Sequence, residues 1–191
     1  MRRPFFGDED YALYRDLLGA HCAAAGVEIW SWVLMPNHVH LILTPGDADG
    51  LRRALSAVHR RYAGHIHARL KRTGHFWQGR FGCVAMDEAH LGVALNPVRA
   101  GLTTRAADWP WSSAHAHICR IDVGITARDP VLSRYRDFAG LLAAGEDEER
   151  VMRLRKAEQL GRPIGDTAFL DRLESEAGRS LKPGRPGPKP R

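Results

Sequence analysis

The chain has 191 residues, of which 44% are hydrophobic and 26% are charged, an ordinary balance for a globular protein that needs no disulfides. The formal net charge of +6 makes nucleic acid the first partner to consider, although charge alone fits a merely basic protein equally well. The three cysteines form no C-x-x-C pair, which argues against a zinc ribbon and favours reduced thiols. With no apolar stretch long enough for a membrane helix and no apolar signal core, we expect a cytoplasmic protein.

The first elements predicted along the chain are a helix and a β-hairpin. Acidic residues from Asp8 begin the helix, apolar residues recur at helical spacing to about Ala25, and Gly26 ends it. Two runs rich in β-branched and aromatic residues follow, residues 27–34 and 38–44, separated by a Pro-Asn turn.

Mostly helical segments follow the hairpin. Asp49 can cap a long basic helix over residues 51–70, and residues 76–85 fit either a strand or an extended loop. A short helix begins at Asp87 and ends near Asn96, because the residue before a proline tends to leave the helical region. Further helices are predicted after the loop 109–113 and over residues 131–143, 147–160 and 167–177.

Two histidines in the second predicted strand are the sharpest local feature. Side chains at i and i+2 of a strand share a face, so His38 and His40 project from one side of the sheet while Val39, Leu41 and Leu43 face the core. Two neutral imidazoles held side by side form half of a divalent metal site that needs a third, oxygen-bearing ligand. The alternative is that they are two ordinary strand histidines.

Several motifs in a fixed order carry a resemblance to a known family. Together they resemble the REP-associated tyrosine transposases, which belong to the HUH superfamily of single-strand DNA transposases. The motifs are VLMPNHVHLILTP at residues 33–45, GHFWQGRF at 74–81, LNPVRAGL at 95–102, WSS at 111–113 and GRPIG at 161–165.

The resemblance implies an α+β fold in which helices pack on a ferredoxin-like antiparallel sheet. It implies a Mg²⁺ or Mn²⁺ site made by His38, His40 and Asn96, whose amide oxygen is an acceptable ligand for a hard cation. It also implies cleavage of single-stranded DNA beside hairpins through a phosphotyrosine intermediate. We divide the chain accordingly into a transposase-like domain at residues 1–118, a helical extension at 119–180 and a mobile, basic, proline-rich tail at 181–191.

The sequence departs from the family at two points. The family's nucleophilic tyrosine lies four residues before the asparagine, where this chain has Gly92, and residues 87–95 contain no tyrosine. The N-terminus leaves little room for the family's first strand, so we expect a sheet with that strand missing or short and with an exposed edge. Both losses suggest a degraded or domesticated copy, and whether the chain is an enzyme stays open.

The candidate DNA contacts are basic residues and one aromatic residue. A basic helix face can follow a phosphate backbone, and an aromatic ring beside an arginine suits unpaired bases, although solvated charges and a core tryptophan are the plain alternatives. The predicted contacts are Arg52, Arg53, Arg60, Arg61, Trp77, Arg80 and Arg99.

Three functional hypotheses follow. The first is a transposase-family protein, monomeric or homodimeric, that binds single-stranded, hairpin-containing DNA but is impaired in cleavage. The second is an active strand transferase with an unrecognised nucleophile. The third is a non-enzymatic, nucleic-acid-binding or regulatory protein whose histidines are structural.

Overall fold

The computed structural model describes residues 3–88, 103–122, 124–143 and 148–181. The chain divides into two compact units. The first, called here the sheet unit, comprises Met1–Arg80 and Ala94–Gly145, and the second, the helical unit, comprises Phe81–Val93 and Glu146–Arg191. The boundary expected at residue 118 stays a prediction.

The described elements confirm the predicted α+β class. Helices surround a two-stranded antiparallel sheet in the sheet unit, and a pair of helices makes up most of the described helical unit. In chain order they are α1 (Asp8–Ala24), β1 (Val27–Leu34), β2 (Val39–Pro45), α2 (Gly50–Leu70), a 3₁₀ turn (Ala106–Asp108), α3 (Ala114–Cys119), α4 (Asp129–Arg134), α5 (Phe138–Ala143), α6 (Glu148–Leu160) and α7 (Thr167–Ala177).

The first helix and the hairpin follow the predicted boundaries closely. Gly26 has a φ of +66°, a left-handed conformation that glycine adopts without a steric penalty, and it ends α1 as expected. β1 and β2 pair in register from Val27 opposite Pro45 to Leu34 opposite Val39. A bulge lies between Ile29 and Ser31, so that Ile29 and Trp32 both face the same core despite their odd spacing.

The main core lies between this sheet and the helices α1 and α2. Tyr14, Leu18, Val58, Tyr62 and Ile66 are fully buried in it. The phenol of Tyr62 donates a hydrogen bond of 2.8 Å to the carbonyl of Pro4, so this side chain is a structural part of the core.

An ion pair between a buried aspartate of α1 and an arginine of α2 also joins these two helices. Asp10 of α1 is 1% exposed and accepts two hydrogen bonds from the guanidinium of Arg69 on α2 as well as one from the backbone N–H of Phe6. Burial opposes ionisation of this carboxyl, but the bonds from Arg69 and Phe6 outweigh it, so the pKa of Asp10 lies below its ordinary value.

The outer edge of β1 is not left open. The backbone N–H of Leu34 donates to the carbonyl of Trp111, at 2.8 Å, and that of Ser113 donates to the carbonyl of Trp32, at 2.9 Å. Further along the edge, Ala127 donates to Ile29 at 2.8 Å. Residues 3–7 form no strand, as expected, but the expected bare edge of β1 is wrong because distant segments pair with it.

Of the two alternatives predicted for residues 76–85, a strand or an extended loop, the structure has the loop. Two other predictions differ from the structure. The helix expected over residues 131–143 is interrupted at Tyr135, where the backbone leaves the helical region, and Asp137 then accepts a hydrogen bond from the N–H of Gly140 at the start of α5. Asp49 precedes α2 but makes no capping bond, because its carboxylate pairs with Arg52 instead.

In the helical unit, the GRPIG motif forms a short stretch of backbone pairing. Ile164 donates to the carbonyl of Ala85 and accepts from the N–H of Asp87, and Asp166 then caps α7 by accepting from Phe169 at 2.7 Å. The helix expected from Asp87 to Leu95 lies mostly outside the described residues. No described helix is both long and apolar enough to cross a membrane.

Candidate metal centre and nucleic-acid surface

The two histidines lie on the face of the sheet opposite the α1–α2 core. His40 is the cross-strand partner of Val33, and both imidazoles are exposed. Val39, Leu41 and Leu43 alternate with them and pack against the core, as the strand periodicity predicts.

The imidazole rings of His38 and His40 converge on one point. Their Nε2 atoms are 2.9 Å apart and the rings are perpendicular. Two nitrogens bound to one octahedral ion at about 2.1 Å, at right angles, lie about 3 Å apart. The pair therefore fits two adjacent ligand positions of a divalent cation. It equally fits a direct hydrogen bond between one protonated and one unprotonated nitrogen.

Asn37 forms a hydrogen bond with the ring of His38 on the side away from His40. Its Oδ1 atom lies 2.6 Å from Nδ1 of His38. Since an amide oxygen only accepts, Nδ1 carries the proton and Nε2 presents its lone pair toward His40. Such an outer hydrogen bond fixes the ring and tautomer of a metal-binding histidine. From the sequence Asn37 was expected only to form a turn, although its position next to His38 could have suggested this role.

The third predicted ligand, Asn96, lies outside the described residues, as do Gly92 and Arg99. Within the described ranges, no group of three or more His, Cys, Asp or Glu side chains could hold a metal ion. A complete centre at the histidine pair would therefore need a ligand of another kind, or from elsewhere in the chain.

The predicted DNA-binding arginines of α2 fall into two groups. Arg52 and Arg53 pair with Asp49 and Asp47, at 3.0 and 2.6 Å. Arg60 and Arg61 are exposed and make no ion pair with any residue that the structure describes. Arg60 and Arg61 are therefore the two whose charge no described carboxylate neutralises.

Trp77 is held by the core and half-exposed. Its indole N–H donates to the carbonyl of His59 at 3.1 Å, and its ring lies 4.5 Å from the imidazole of His59 and 5.9 Å from Tyr62. Arg80, three residues later, is exposed. The ring packs on the core and also keeps an accessible surface, and a contact of Trp77 with DNA stays a prediction.

Two sequence comparisons identify the family of the chain. Residues 1–96, half of the chain, match the family described as IS200-like transposases. The REP-associated tyrosine transposase of Escherichia coli strain K12 is 31% identical over 101 residues, which cover 49% of this chain and 58% of that protein. The chain thus matches little more than half the length of this curated relative, and no solved structure gives a significant match. On the match over its first 96 residues, the chain belongs to the IS200-like transposase family.

Proposed function

We propose that this protein binds single-stranded, hairpin-containing DNA and holds Mg²⁺ or Mn²⁺ with His38, His40 and Asn96. The convergence of the two Nε2 atoms at 2.9 Å is the observation that carries the proposal. Both imidazoles are exposed, which leaves room for a phosphate beside the cation. We further expect the protein to act in the cytoplasm as a monomer or a homodimer.

Each residue of the proposed centre has a distinct task. His38 and His40 supply neutral nitrogen ligands, and Asn37 keeps the lone pair of His38 directed at the cation position. When bound, the cation would polarise a DNA phosphate and stabilise negative charge on its oxygens. Arg60 and Arg61 of α2, which pair with no carboxylate in the part of the chain that the structure describes, would contact neighbouring phosphates and set affinity more than sequence choice.

We propose that DNA cleavage is impaired. The position of the family's nucleophile is Gly92, which has no side chain to attack a phosphate. Tyr11, Tyr14 and Tyr62 are poor replacements, because all three are buried and burial raises the pKa of each phenol. Tyrosine nucleophiles need access to the scissile phosphate and a way to lose their proton.

The alternative is a non-enzymatic DNA-binding protein whose histidines bond to each other without a cation. The same 2.9 Å contact favours it, since one imidazole can donate directly to the other. The two proposals differ in what Mn²⁺ does. Only in the first proposal does Mn²⁺ bind the folded protein and increase its affinity for DNA.

Calorimetric titration with Mn²⁺ and fluorescence anisotropy with a labelled hairpin oligonucleotide separate them. We expect His38→Ala and His40→Ala to abolish Mn²⁺ binding and the Mn²⁺-dependent part of DNA affinity, while His115→Ala, an exposed histidine on α3, changes neither. A DNA affinity that is independent of Mn²⁺ and unchanged in both histidine variants would establish the alternative. Absence of DNA binding at low salt would refute both.

The same oligonucleotide tests the proposed loss of cleavage. The wild-type protein should form no covalent DNA adduct with Mn²⁺, whereas Gly92→Tyr places a phenol at the family's nucleophile position. A denaturing gel shows an adduct as a shifted band. An adduct with the wild-type protein would establish the active enzyme with an unrecognised nucleophile.

A further inference from the structure

A groove beside Trp77 has no role in the metal centre proposed above. It lies between α2, from His59 to His67, and the segment 74–80, and it is an open depression of about 620 Å³. Ligand sites for small molecules commonly fall between about 300 and 1,000 Å³. The groove is therefore large enough for a nucleotide, and it belongs wholly to the sheet unit.

Small residues keep the groove open. Gly64, Gly74 and Gly79 border it, and a Cβ atom added at any of them would meet nothing within 4 Å. Ala63 is the neighbouring residue on α2. Gly64 is the most informative of the three, because a glycine inside a helix costs about 1 kcal/mol of stability relative to alanine. No described atom lies within 4 Å of a Cβ placed there, so no contact requires glycine at this position.

One side of the groove is flat and aromatic. The indole of Trp77 is fixed by its hydrogen bond to His59 and by Tyr62 behind it, so it needs no rearrangement to receive a ring. The imidazole of His59 lies beside it and bonds to the phenol of Tyr14 at 3.0 Å. Burial lowers the pKa of His59, which keeps this ring neutral and suited to stacking at pH 7.

The rim of the groove is positively charged. Arg60 and Arg80 line it, together with His67 and His75, and no aspartate or glutamate of the described ranges does. Neither arginine makes an ion pair with a described residue, in contrast to Arg52 and Arg53. A preformed aromatic surface flanked by unneutralised guanidinium groups is complementary to an unpaired base with its phosphates.

We propose that this groove, which we call the Trp77 groove, binds an unpaired nucleotide of single-stranded DNA. The base stacks on the indole of Trp77 beside His59, and the adjoining phosphates contact Arg60 and Arg80. The inference rests on the proposed DNA-binding function and adds to it a base-binding site separate from the cation ligands.

The test uses the full-length protein and a labelled oligothymidine of about 12 nucleotides, a length within the range of single-strand binding sites. Gly64→Leu fills the Trp77 groove without altering charge, and leucine is a good helix former. Gly64→Ala is the matched control, since it adds only a Cβ atom in open space. We expect Gly64→Leu to weaken binding by about tenfold relative to Gly64→Ala, as loss of a stacked base does.

An abasic oligomer of equal length separates base stacking from phosphate contacts. Wild-type protein should bind it about tenfold more weakly than oligothymidine, and the two Gly64 variants should bind it equally. Arg60→Gln should also reduce the slope of log affinity against log salt by about 0.7, whereas Arg105→Gln, an exposed arginine outside the groove, leaves it unchanged.

The outcomes distinguish this inference from the metal-centre proposal. Equal oligothymidine affinity for Gly64→Leu and Gly64→Ala would refute the Trp77 groove, even if hairpin binding still depended on Mn²⁺ and His38. Conversely, weaker oligothymidine binding by Gly64→Leu than by Gly64→Ala, together with hairpin binding that does not depend on Mn²⁺, would support the groove and refute the metal centre.

Discussion

Ser113 joins the WSS segment to β1, and its removal should destabilise the sheet unit measurably. Its hydroxyl lies 2.5 Å from that of Ser31 and accepts a hydrogen bond of 3.0 Å from the backbone N–H of Trp32. Ser31 and Ser113 are 1% and 0% exposed, so water cannot replace the lost partner. Ser113→Ala leaves the N–H of Trp32 and the hydroxyl of Ser31 unsatisfied, and each buried group left without a partner costs about 1–3 kcal/mol.

The expected loss for Ser113→Ala is therefore about 3 kcal/mol of unfolding free energy. Ser31→Ala should cost about 1 kcal/mol, because Ser113 still accepts from Trp32. In the double variant only the N–H of Trp32 lacks a partner, so its cost should be about 2 kcal/mol less than the two single costs added together.

Urea unfolding at pH 7, followed by tryptophan fluorescence, gives these free energies if the slope with denaturant is unchanged. Ser133→Ala, an exposed serine on α4, is the control and should change stability by less than about 0.5 kcal/mol. Additive costs for Ser31 and Ser113, or a Ser113→Ala cost below about 0.5 kcal/mol, would refute the assigned hydrogen bonds.

Three further measurements test other parts of the sheet unit. Because the pKa of Asp10 is lowered, its stabilisation is complete above its ordinary value of 3.8 and is lost as pH falls below it, so Asp10→Asn should flatten the acid limb of a urea-midpoint profile. Burial lowers the pKa of both His117 and His59 from 6.5, so wild-type stability should fall as pH decreases below about 6.5, and His117→Gln should reduce that slope, with His59 supplying the remainder. Gly64→Ala should raise the unfolding free energy by about 0.5–1 kcal/mol, and a decrease in the urea midpoint would contradict the open space beside Gly64.

Local patterns in the sequence predicted the helices α1 and α2 and the hairpin well. The histidine face was predictable because alternation in β2 depends only on its own residues. The bulge near Trp30 escaped prediction, yet it lies in β1 and leaves the faces of β2 unchanged. Strand periodicity thus predicted the face of His40, whereas His38 lies just before β2 and its ring is held by Asn37.

Features that depend on distant residues could not be predicted in this way. The pairing of Trp111 and Ser113 with the edge of β1 joins segments far apart in the chain, and no local pattern specifies it. Trp77 is similar, because its fixed position and the groove beside it arise from contacts with α2. The helix expected over residues 131–143 is interrupted at Tyr135, and the apolar spacing that predicted this helix does not show where it stops.

The late pairing along β1 also has a consequence for synthesis on the ribosome. Ser31 and Ser113 are 82 residues apart, so the hairpin emerges well before the segment that covers its outer edge. At about 5–20 residues per second, that interval lasts about 4–16 seconds. During it the nascent strand presents unpaired backbone groups to its surroundings, and slowing translation between the two segments should increase the yield of aggregated protein.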